Sequence, residues 1–115
     1  MNLKVGDIIQ FERTFTKEDV ERFTKLSMDE GDHHTNPDEL GRLVVQGLLT
    51  ATLPTKVGGD YNVLARTMNF EFFRPVFTGD TISCEVKIER LEKKIVIEYL
   101  FWPYSCALIK MKNKY

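Results

Sequence analysis

The sequence predicts an α+β fold, with one apolar helix buried against an antiparallel sheet of four or five long strands. Three observations lead there. The segment from Leu43 to about Val57 is apolar almost all round, as in a helix enclosed by other elements. Two later segments alternate with a period of two, Leu64, Met68, Phe70 and Phe72 in one and Ile82, Cys84, Val86 and Ile88 in the other. A richer apolar run from Ile95 to Trp102 and a last one through Lys112 add further strands. At 115 residues the chain reads as one domain, residues 1–115.

Taken in order, Asp7 to Phe15 is a short extended segment and Thr16 a helix cap, with Glu18 and Asp19 at the positive helix end. The helix that follows presents Val20, Phe23 and Leu26 at three-residue intervals. From Met28 to Arg42 the chain is polar and punctuated by Gly31, Asn36-Pro37 and Gly41, so it reads as a loop able to hold functional side chains. Within the apolar segment Pro54 predicts a kink or an early end, and Gly58-Gly59 closes it. Arg74 to Asp80 breaks the two alternating strands, which are expected to run antiparallel. Leu91 to Lys94 is a turn, and Pro103-Tyr104-Ser105 returns the chain into the last strand.

Sixteen Lys and Arg against 17 Asp and Glu leave no electrostatic footprint for nucleic acid or an anionic membrane. No stretch approaches the roughly 20 apolar residues of a membrane span, and the first residues lack a signal-type apolar run, so a cytoplasmic protein is expected. Cys84 and Cys106 lie in apolar strand segments without metal-type spacing, as small buried hydrophobes do in a reducing compartment.

The chemistry concentrates in Ser27-Met-Asp-Glu-Gly-Asp-His-His34, just ahead of Leu43. Asp29 and His34 are the one obvious acid-base set, and a glycine-containing helix start beside them could offer backbone N–H groups to a developing oxyanion. That is the outline of a hydratase site. The same residues also suit a solvated turn with Asx-type hydrogen bonds. As metal ligands they fit less well, because adjacent histidines cannot easily aim at one ion. Gly47 could equally serve close packing. Arg74 reads as a strand ending that could meet a phosphate, and Phe70, Phe72 and Phe73 as core and interface or as an acyl-chain wall.

With Val5-Gly-Asp7, Ser27-x-Asp29, Val45-Gln-Gly-Leu-Leu49 and Phe73-Arg-Pro-Val-Phe-Thr-Gly-Asp80 standing in this order, the chain resembles the MaoC-like dehydratases, which include R-specific enoyl-CoA hydratases of the hotdog fold. The resemblance runs over roughly residues 5 to 90. It implies a five-stranded antiparallel sheet wrapped around a central helix, paired into a homodimer or a higher homo-oligomer. It implies acyl-CoA or acyl-carrier-protein thioesters as substrates and no metal or other cofactor. The family's Asp and His stand five positions apart and share a water; Asp29 and His34 hold those positions, and Gly47 maps onto the oxyanion donor. Met28 stands where the motif has Gly, Gly31-Asp32 where it has Asn-Pro, and Gln46 where many members carry His. His33 offers a second imidazole, and His33, Gln46 and Arg74 are the expected substrate-binding residues. A thioesterase and a non-catalytic acyl-CoA-binding subunit on the same fold are the alternatives.

Overall fold

The computed structural model describes residues 4–61, 64–91, 94–101 and 105–112. Strand β1 (Ile8–Thr14) leads into helix α1 (Lys17–Ser27). Thr16 caps the helix as its sequence predicts. Its hydroxyl accepts from the Asp19 N–H at 3.1 Å, and the Asp19 carboxylate accepts from the Thr16 N–H at 2.9 Å, which is a capping box. The Thr16 N–H, with Arg13 nearby, holds the Asp19 carboxyl below its usual pKa.

The buried face of α1 departs from the expected one. Val20 and Thr24 are buried and Phe23 is partly so, but Leu26 is 81% exposed. At about 100° per residue, Leu26 falls some 120° round the helix from Val20. Thr24 takes the inner place, its hydroxyl donating to the Val20 carbonyl at 2.8 Å.

The apolar segment is not one helix. It divides into strand β2 (Val44–Val45), a single helical turn α3 (Gly47–Thr50) and a short helix α4 (Thr55–Asp60), with the one-turn helix α2 (Asp32–Thr35) ahead of them in the polar loop. Local chemistry accounts for the breaks. The β-branched pair Val44 and Val45 finds a partner in strand β4 (Val76–Phe77). The Thr50, Thr52 and Thr55 hydroxyls each donate to the carbonyl three residues back, competing with the helical ladder. Pro54, which has no N–H, stands at the N-cap of α4. Leu53 and Val57 nevertheless reach the core, so the segment keeps its packing role despite its interruptions.

The main sheet comprises β1, β3 (Leu64–Phe72), β5 (Thr81–Leu91), β6 (Lys94–Phe101) and β7 (Ser105–Lys112), all antiparallel, in the order β1-β5-β6-β7-β3. The two alternating strands are therefore not neighbours: β5 lies between β1 and β6, while β3 forms the far edge against β7. Period-two alternation is fully expressed in β5, whose Ile82, Cys84, Val86 and Ile88 are all buried against Phe15, Val20, Leu43, Val45 and Val76. Burial pushes the Cys84 thiol up to about 12, so it is an inert packing residue. The Cys106 side chain and the expected turn residues at 92–93 and 103–104 lie outside the described residues, as does Trp102.

What this architecture contributes to a site is a junction. The β2–β4 pair brings residues 44–47 beside residues 72–77, and α1 with α2 carries the polar loop onto the same corner.

Candidate functional site

Asp29 and His34 meet across the polar loop. Their closest approach is 3.4 Å, from Asp29 Oδ2 to His34 Nε2, with the imidazole only 6% exposed and the carboxylate about half exposed. The backbone builds this approach in steps. Met28, the C-cap of α1, adopts a left-handed conformation with φ 63°, which turns the chain sharply out of the helix. A non-glycine residue there carries a strain of about 1 kcal/mol, which is a physical reason for glycine at that place in the related motif. The Ser27 hydroxyl then accepts from the Asp29 N–H at 3.1 Å, and Asp29 Oδ1 accepts from the Gly31 N–H at 3.3 Å. One carboxylate oxygen is thus engaged with backbone and the other faces the imidazole. Gly31 packs tightly: a Cβ there would stand 3.0 Å from the His33 ring and 3.4 Å from Asp29 Oδ1, so the His33 ring would have to shift.

His34 is fixed from its other nitrogen. Its Nδ1–H donates to the Val44 carbonyl at 2.6 Å, since a carbonyl can only accept. In the neutral ring Nε2 is then an acceptor facing a second acceptor, Asp29 Oδ2, whereas a protonated ring would donate Nε2–H to that oxygen directly. With the neutral ring a water can satisfy both acceptors by donating one proton to each, while the bare pair repels. The expected Asx-type turn is therefore present, but it carries a buried, oriented imidazole rather than a solvated one.

His34 also lines a cleft of about 370 Å³ together with His33, Val44, Val45, Gly47, Thr50 and residues 72–76. The first N–H of α3, that of Gly47, has no acceptor among the described residues. The Phe72 ring lies where a side chain at 47 would be, its carbons 3.3 Å from an ideal Cβ position. Close packing and an available backbone donor thus coincide at Gly47. His33 lines the cleft beside His34, ring centroids 3.9 Å apart, but it is His34 that faces Asp29. Arg74 lines the cleft as well.

Gln46 does not join them. Expected beside the substrate, it is 2% exposed and points toward α1, where Nε2 donates to the Thr24 hydroxyl at 2.9 Å. Its Oε1 has no hydrogen-bond partner among the described residues. The reason is alternation: with Val45 turned into the core and Gly47 opening to the cleft, the side chain between them faces the helix behind. Gln46→Ala is accordingly expected to lower stability by roughly 2 kcal/mol through lost packing, and to leave KM near that of the parent. Thermal melting and steady-state kinetics on the same preparation check this.

Two contributors are invisible from residue types. The Val44 carbonyl orients His34, and any residue at 44 would offer it. Thr50, buried and lining the cleft, donates its hydroxyl to the Gly47 carbonyl at 2.7 Å. Its apolar context gives no sequence signal. Among the described residues there is no group of three or more His, Cys, Asp or Glu arranged to hold a metal ion, and no helix long and apolar enough to cross a membrane.

A β-sheet enclosing a short helical segment, with a loop-borne Asp and His beside the segment's first turn, defines a class. The Thioesterase superfamily model matches residues 40–105, and the chain belongs to that superfamily. Solved structures share the fold over nearly the whole chain. The (R)-hydratase from A. caviae involved in PHA biosynthesis is 22% identical with a TM-score of 0.82, covering 97% of this chain and 98% of that one. Protein af1124 from Archaeoglobus fulgidus is 23% identical with a TM-score of 0.81, covering 98% and 80%. R-hydratase PhaJ1 from Pseudomonas aeruginosa is 16% identical with a TM-score of 0.80, covering 97% and 83%. The fold is the hotdog fold that the sequence resemblance implies. No curated protein matches the chain in sequence.

Proposed function

We propose that this chain is an acyl-thioester hydratase or dehydratase of the R-specific enoyl-CoA type. The observation that carries the reading is the close approach of Asp29 Oδ2 and His34 Nε2, 3.4 Å apart, with the imidazole locked by the Val44 carbonyl. A water held by both groups loses a proton to one of them as its oxygen bonds to the β-carbon of a 2-enoyl thioester. The α-carbon receives a proton, and the double bond becomes single. During this step the thioester oxygen gains negative charge, and the unengaged Gly47 N–H at the cleft wall is suited to receive it. His33 and Arg74 contact the substrate from the cleft wall, and the acyl carrier is coenzyme A or a carrier protein. No step in this sequence draws on a metal or a redox cofactor.

The working unit in this reading is a homodimer. Strands β1 and β3 are the edges of the sheet, and an uncovered edge pairs readily. Leu48, 63% exposed, and Phe72 and Phe73, each about half exposed, stand near the cleft, which suits a second copy covering that corner.

Hydration of crotonyl-CoA, followed by loss of enoyl absorbance with free thiol assayed in parallel, tests the function. The expected product is 3-hydroxybutyryl-CoA. Thiol release instead would favour the second reading, a thioesterase, to which the superfamily match lends support; there Asp29 would direct water to the thioester carbonyl. Silence in both channels, with thermal stabilisation by acyl-CoA, would mark a binding subunit.

A further inference from the structure

The buried polar side chain that the mechanism leaves unused is Gln46. It makes no capping hydrogen bond to its own turn, α3. It crosses instead to α1, where Nε2 donates to the Thr24 hydroxyl at 2.9 Å and, more weakly, to the Val20 carbonyl at 3.5 Å. The Thr24 hydroxyl gives its single proton to the Val20 carbonyl at 2.8 Å, so only its lone pairs face the amide. The amide's orientation is thereby fixed, with Nε2 toward α1 and Oε1 away from it. Oε1 stays buried without a donor among the described residues. An unmet acceptor in a residue 2% exposed lowers stability, and an apolar side chain of the same length would avoid that loss. What the amide supplies that an apolar chain cannot is direction.

Both ends of this bond lead into the site. The Thr24 carbonyl accepts from the N–H of Met28, the C-cap of α1, at 2.9 Å. Asp29 follows directly, so Thr24 stands at the root of the loop that carries the carboxylate toward His34. At the other end, Gln46 shares a peptide unit with Gly47. The Gln46 carbonyl accepts from the Leu49 N–H at 2.9 Å and from the Thr50 N–H at 3.1 Å. Because a peptide unit is planar, fixing that carbonyl fixes the plane in which the Gly47 N–H points. The Gln46 side chain then ties this unit to α1. Among the described residues, no other side chain of the 43–50 segment hydrogen-bonds to that helix.

Resting on the hydratase reading above, we infer that the Thr24–Gln46 hydrogen bond is a strut that sets the spacing between the water-activating pair and the oxyanion donor. Thr24 and Gln46 touch no reacting atom; they are positioning residues. The Gly47 N–H matters most once charge has built on the thioester oxygen, so a slackened strut lowers kcat and leaves KM in place. A misplacement of about 1 Å can cost ~10²-fold, and a strut whose backbone anchors survive its loss is expected to cost about tenfold.

Thr24→Val, Thr24→Ser, Gln46→Met and the Thr24→Val/Gln46→Met double variant test this with crotonyl-CoA, with thermal melting measured on the same preparations. Thr24→Val and Gln46→Met are expected to lower kcat about tenfold with KM within roughly twofold of the parent's. Thr24→Ser, which keeps the hydroxyl, is expected to retain most of kcat. The double variant is expected to lose no more than either single one, because one interaction is removed twice. It replaces both polar partners with apolar groups of similar size, so it should melt near the parent or above it. A double variant that melts like the parent and also turns over like the parent overturns the inference. So does an equal loss in Thr24→Ser and Thr24→Val, which assigns the effect to packing, or a rise in KM with kcat unchanged. If the parent itself does not hydrate crotonyl-CoA, the hydratase reading fails, and infrared spectra of butyryl-CoA, ¹³C-labelled at the thioester carbonyl and without a double bond to hydrate, decide the strut separately. A carbonyl stretch lowered on binding to the parent and returned toward the free value in the double variant upholds it. Equal stretches in the two proteins, or no bound signal, sink it.

Discussion

Asp29→Ala is expected to lower hydration of crotonyl-CoA by 10²-fold to 10⁴-fold, the range over which positioned acid-base groups act. Folding should survive. The Asp29 side chain is about half exposed, and among the described residues its one hydrogen bond is the 3.3 Å contact from the Gly31 N–H. Loss of that bond costs about 1 kcal/mol. Asp29→Asn separates charge from shape: its carbonyl can still accept from Gly31, but the group facing His34 no longer carries a negative charge. Equal loss in both variants would show that the charge matters, whereas retention in Asp29→Asn would assign Asp29 to loop geometry. Turnover close to the parent's in Asp29→Ala, with the melting temperature preserved, would remove Asp29 from the mechanism.

The second large effect is expected at His34. A plain alanine there would combine lost chemistry with a buried gap, so His34→Asn is the more informative variant. Its side-chain amide can still donate toward the Val44 carbonyl, but nothing remains at the position of Nε2, 3.4 Å from Asp29. The expected result is a fall in kcat of at least 10²-fold with a stability loss on the order of 2 kcal/mol. His33→Ala should act mainly on KM, because His33 lines the cleft without facing the carboxylate. A collapse of kcat in His33→Ala, with His34→Asn active, would reverse the two roles. Steady-state kinetics alongside urea denaturation distinguishes these outcomes.

The fold class, the capped first helix and the inward face of β5 are all legible in the sequence because each follows from local periodicity or local hydrogen bonding. Ile82 to Ile88 need only alternate, and Thr16 needs only Asp19 three residues on. What periodicity cannot carry is the partner of a segment. Val44 and Val45 look like helix residues when read along the chain, and become a strand because Val76 and Phe77, more than 30 residues later, pair with them. The same ambiguity hid the orientation of Gln46, since a residue's face depends on whether its neighbours follow a helical or a strand period. At the candidate site, Asp29, His34, Gly47 and Arg74 stand out by type and order, while the Val44 carbonyl carries no side-chain signature at all.

The single turn of α3 changes the source of any electrostatic help at the thioester oxygen. With four residues and a proline at the next N-cap, there is no long column of aligned peptides behind Gly47. The field at its N–H is therefore local, made by one or two amide dipoles at close range rather than by a helix-length sum. Such a donor owes its aim to what braces it: the β2–β4 pair on one side and the Phe72 ring on the other. Strength of binding to a developing oxyanion then becomes a property of how tightly two strands and an aromatic ring hold one amide in register. Substitutions far along the apolar segment, toward Val57, should leave it largely untouched.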